Sequence, residues 1–97
     1  MSISRIVMTP VLDDYGMTRA WEAKDEASGA LLAKAVIADF IEKTQVYVVE
    51  ETHYSPTGSV TYVGRLFFDP NNQVINTVPQ KGTKQRDIFI RNPFSRF

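Results

Sequence analysis

The chain has 97 residues, 43% of them hydrophobic and 23% charged, with eleven basic side chains balanced by eleven acidic ones. That is room for one domain with a modest core, and too much apolar material for a disordered segment. There is no cysteine, which excludes disulfides, thiolate zinc sites and a cysteine nucleophile, and a net charge of zero argues against a molecule governed by polyanion electrostatics. No run approaches the ~20 apolar residues of a membrane span, and Met1-Ser2-Ile3-Ser4-Arg5 lacks the basic-then-apolar order of a secretion signal. A soluble, cytoplasmic protein that meets no membrane is the expectation.

In chain order, Ile3 to Leu12 is rich in Ile, Val and Met and is followed by the turn-forming Asp13-Asp14-Tyr15-Gly16. A first hairpin is predicted, returning through Met17 to Lys24, with Pro10 marking an edge strand or a bulge because it cannot donate to a ladder. Asp25 to Lys43 reads as the one helix. Asp25 or Ser28 would cap it, and at 100° per residue Ala30, Ala33, Val36, Ile37, Phe40 and Ile41 share one arc while Lys34, Asp39, Glu42 and Lys43 lie outside it.

Two aromatic, β-branched runs follow, 46–54 and 60–68, joined by Ser55-Pro56-Thr57-Gly58-Ser59. They predict one long β-hairpin. Asp69-Pro70-Asn71-Asn72 is a turn before a fifth strand over 73–78, residues 79–85 read as a linker or extended loop, and Ile88-Phe89-Ile90 as a last short strand ended by Asn92-Pro93. The expected fold is therefore α+β, an antiparallel sheet of about five strands in β-β-α-β-β-β order with one helix packed on one face. Residues 1–80 form that single domain, and 81–97 form a basic, aromatic tail that either docks on it or adds a last strand. One helix cannot cover both faces of such a sheet, and the hairpin is apolar on both, so an interface and a homo-oligomer are expected.

The balanced charge conceals a gradient. Residues 1–80 carry six Lys/Arg against ten Asp/Glu, whereas 81–97 carry Lys81, Lys84, Arg86, Arg91 and Arg96 against Asp87 alone. Interleaved with Phe89, Phe94 and Phe97, these cations suit a polyanion, the acidic body of the chain itself, or a partner protein. On the sheet, Tyr47, Tyr62 and Phe67 are candidates for a contact face.

Chemical equipment is sparse. His53 is the only histidine, and Glu51 two residues away on the same strand face could orient it for acid/base work, but no motif sets a nucleophile beside it. Glu50-Glu51 point to opposite faces of a strand, Asp13-Asp14 suit a turn, and the glycines are isolated, so no metal, cofactor or phosphate loop is expected. The sequence leads to a small non-enzymatic binding protein of accessory, inhibitor or assembly type, acting on a protein through the sheet face or the tail. The alternatives are a nucleic-acid binder using the C-terminal cations and, as a minor option, an enzyme built on His53.

Overall fold

A computed structural model describes residues 5–82 and 88–91. Its six strands are β1 (Ile6–Leu12), β2 (Thr18–Asp25), β3 (Leu31–Ile41), β4 (Val46–Tyr54), β5 (Val60–Phe68) and β6 (Val74–Gly82), followed by a single helical turn, α1 (Ile88–Arg91). The strands form one antiparallel sheet whose spatial order is the chain order, β1-β2-β3-β4-β5-β6. The expected α+β class, its five-strand count and its β-β-α-β-β-β order are thereby corrected. Residues 25–43 hold no helix. They make a turn and then strand β3, which pairs with β2 on one side and β4 on the other.

The reason lies in the alanines. Ala23, Ala33 and Ala35 are fully buried and, with Gly64, keep the middle of one sheet face low, so that Ile88 and Phe89 of α1 can settle onto it among Trp21, Val49, Leu66 and Phe68. Alanine favours helices in isolation, but burial of two large side chains in that trough outweighs a propensity difference of under ~1 kcal/mol per residue. Gly29, which reads as a helix start, instead adopts φ +72° in the turn, where its N–H donates to the carbonyl of Asp25 at 2.8 Å. Ile88 to Ile90, expected as a strand, are helical.

The hairpin over 46–54 and 60–68 is present as β4–β5. Its turn is one of three built alike. Asp13, Ser55 and Asp69 each pair through N–H and a side-chain oxygen with the residue four places on, and a left-handed residue precedes that partner: Gly16 (φ 79°), Gly58 (φ 89°) and Asn72 (φ 65°). Such turns return the chain with a bulge and match the twist of the flanking strands.

Candidate functional site

Directly opposed residues in neighbouring strands share a face, so the register sorts every side chain. One row crosses all six strands as Pro10, Trp21, Ala35, Glu51, Gly64 and Pro79, and the next as Met8, Ala23, Ala33, His53, Tyr62 and Gly82. These rows form the face that α1 covers. At their crossing on β4 lie Glu51, 0% exposed, and His53, 1% exposed.

The pair is bonded. His53 Nε2 lies 2.6 Å from Glu51 Oε1, a spacing that a period-two strand gives to residues i and i+2 on one face. The Tyr62 ring meets the imidazole edge-on at a centroid distance of 5.4 Å, and the Phe89 ring does so at 6.1 Å. Gly64, opposite Glu51, is where the Tyr62 ring lies: a Cβ there would come 2.7 Å from Tyr62 Cζ and closer still to Oη. Glu51 Oε2 and His53 Nδ1 have no hydrogen-bond partner among the described residues. Buried polar groups in that condition cost about 1–3 kcal/mol each, so the pair holds part of the core at a polar cost.

Chemically the arrangement is an oriented imidazole with one ring nitrogen uncommitted, the first half of an acid/base device. It lacks access. Phe89 and Tyr62 lie over it, and no described residue places a hydroxyl or thiol nucleophile on Nδ1. No grouping of three or more potential metal ligands occurs among the described residues.

The opposite face has a different character. Its central row runs Val11, Ala20, Val36, Glu50, Arg65 and Val78 across all six strands. No described element lies across it. Ala20 and Val48 are screened from water there by their neighbours, Val63 and Phe67 are half-buried, and Val36 and Val78 are exposed among Glu22, Lys24, Lys34, Glu50 and Arg65. Lys24 and Glu22 pair at 3.6 Å.

The contact candidates from the sequence are therefore divided. Tyr62 is in the core, Tyr47 is half-buried on the same face against Phe40 at 4.5 Å between ring centroids, and Phe67 is on the opposite face across from Val48 and Asn76. In the C-terminal segment, Lys81 is an exposed β6 residue, Phe89 is a core residue, and Arg91 ends α1, while Lys84, Arg86, Phe94, Arg96 and Phe97 lie outside the described residues. What sequence reasoning missed is the open-face row, because its register needs β3 to be a strand. An open groove of about 400 Å³ between the 26–30 and 55–59 turns is lined by neutral residues, Tyr54 and Pro56 among them, and offers no charged group to a ligand. Among the described residues no helix is long and apolar enough to cross a membrane. Comparison with protein-family models, curated proteins and solved structures finds no match for this chain.

Proposed function

We propose that this is a small non-enzymatic binding protein of the accessory, inhibitor or assembly kind, which meets a protein partner across the sheet face opposite α1. The observation that carries the proposal is the six-residue row on that face, in which aliphatic residues flank an acid and a base, with Phe67 half-buried beside it. Apolar surface set among charges of both signs is the composition of a protein interface, whereas a polyanion site needs one sign.

The edges of the sheet support a face-on contact over strand addition. Both edge strands contain a proline, Pro10 in β1 and Pro79 in β6, and proline interrupts the run of donors that an added strand requires. A second copy is one partner the chain can supply, since a face carrying Glu22, Glu50, Lys34 and Arg65 is its own charge complement under a two-fold axis. The buried Glu51–His53 pair is then a structural element that fixes how β4 and α1 meet.

A photo-crosslinking side chain introduced at position 67 tests the proposal in the source cell. A light-dependent protein adduct, absent when the same group replaces exposed Thr57, is the expected result. A nucleic-acid adduct would favour the polyanion alternative, and no adduct at all would reject the face as the contact. Light scattering of the pure protein at two concentrations tells whether a second copy is the partner.

A further inference from the structure

The two ends of the sheet differ as sharply as its faces. In a meander alternate turns share an end, so the β1–β2, β3–β4 and β5–β6 turns project together and the β2–β3 and β4–β5 turns project oppositely. At the first end large apolar side chains stand in water: Leu12 at 56%, Tyr15 at 91% and Met17 at 61% exposed, with Phe40 and Ile41 exposed on the next hairpin. Asp13, Asp14, Asp39 and Glu42 surround them, with Asp69 one hairpin further, against Arg19 and Lys43. None of Asp13, Asp14, Asp39 and Glu42 has an ion-pair partner among the described residues.

The other end exposes Val60 at 47% and Val7 at 38%, with no exposed aromatic ring among the described residues. Its turns are made of Ser28, Gly29, Ser55, Pro56, Thr57 and Gly58, and the carboxylate of Glu26 is paired with Arg5 at 3.7 Å. Turn formation alone accounts for Asp13, whose Oδ1 accepts the N–H groups of Tyr15 and Met17 at 2.8 and 2.9 Å. It accounts for none of the apolar residues beside it, since that turn type asks nothing of its third and fifth positions.

We infer that this end is a second docking surface, separate from the open sheet face, and that its occupant is a cationic protein segment with aromatic or aliphatic anchors. Exposed Tyr, Leu and Met supply the contact area, Tyr with little side-chain entropy to lose, and the uncompensated carboxylates select for Lys and Arg. The same carboxylates repel phosphate, which sets nucleic acid and anionic lipid surfaces against it.

The test uses the full chain and a fluorescent synthetic peptide alternating lysine with phenylalanine and leucine. The expected result is saturable binding that weakens with salt, falls about tenfold or more in the charge-neutral variant Asp13→Asn, Asp14→Asn, Asp39→Asn, Glu42→Gln, and falls similarly in Leu12→Ser, Tyr15→Ser, Met17→Ser. The asparagines preserve the turn acceptors, and an unchanged unfolding midpoint in each variant confirms that the scaffold is intact. Equal affinity for a lysine–serine peptide would reduce the surface to unspecific charge and overturn the inference. So would binding unchanged by both sets of substitutions, or association with anionic vesicles in preference to the peptide. Val36→Ser, a neutral change in the middle of the open face, leaves this binding intact while weakening the contact there, so the two surfaces fail independently.

Discussion

Glu50 and Glu51 are neighbours in the chain, and the pleat sends them to opposite faces of one sheet. Glu50 stands half-buried across from Arg65, where water can reach its carboxylate. Glu51 is sealed beneath α1 and depends on one bond to His53. The same carboxyl group is thus a replaceable surface charge in one place and, one residue later, a commitment that the core must satisfy. The covered face holds the fold together, whereas the other face carries chemistry that the fold does not require.

Substitutions on the two faces should separate accordingly. His53→Leu leaves the Glu51 carboxylate buried without a partner and is expected to cost about 3–5 kcal/mol in chemical denaturation. Replacing Glu51 and His53 together by apolar residues should recover much of that loss, and a double variant as unstable as the single one would show that the pair is more than a self-compensating unit. Phe89→Ala removes the ring that lies over the imidazole and is expected to cost a similar ~3–5 kcal/mol, with amide exchange accelerating along β4 before β1.

Gly64→Ala follows, at about 1–3 kcal/mol, because the new methyl group must displace the buried Tyr62 ring. On the open face, Glu50→Gln and Val78→Ser should each change stability by no more than about 0.5 kcal/mol. If these surface changes prove as costly as Gly64→Ala, the distinction between the faces is wrong and the second face also belongs to a packed core.

How much of this was legible in the sequence depends on range. The three turns beginning at Asp13, Ser55 and Asp69 are local devices, written in residues that bond their own neighbours, and each was read in place. The β4–β5 hairpin was equally plain, since β-branched and aromatic residues dominate both its strands. Strand β3 was misread because Ala33, Val36, Ile37, Phe40 and Ile41 satisfy a helical period, whereas on the strand they divide between the two faces and a bulge at Ala38 breaks the alternation. What decides between them is distant: Trp21 and Glu51 flank Ala35, and α1 needs the shallow trough. The proximity of Glu51 and His53 was foreseen from strand alternation, but their burial was not, because the group that seals them comes from α1, 35 residues or more along the chain. Phe89 was assigned to a binding tail for the same reason. An aromatic residue among cations signals contact, and only tertiary structure says whether the contact is internal.

The meander has a consequence for how the protein is made. Since every strand pairs with its successor, the sheet can grow by closing one short turn after another, at small entropic cost for each closure and without threading. The residues that dry its polar centre, Ile88 and Phe89, follow all six strands. On a ribosome they emerge after every strand. Until they do, the nascent sheet holds a wet carboxylate and imidazole where its core will be, and the native packing of that centre waits on Ile88 and Phe89, the first two residues of the helical turn.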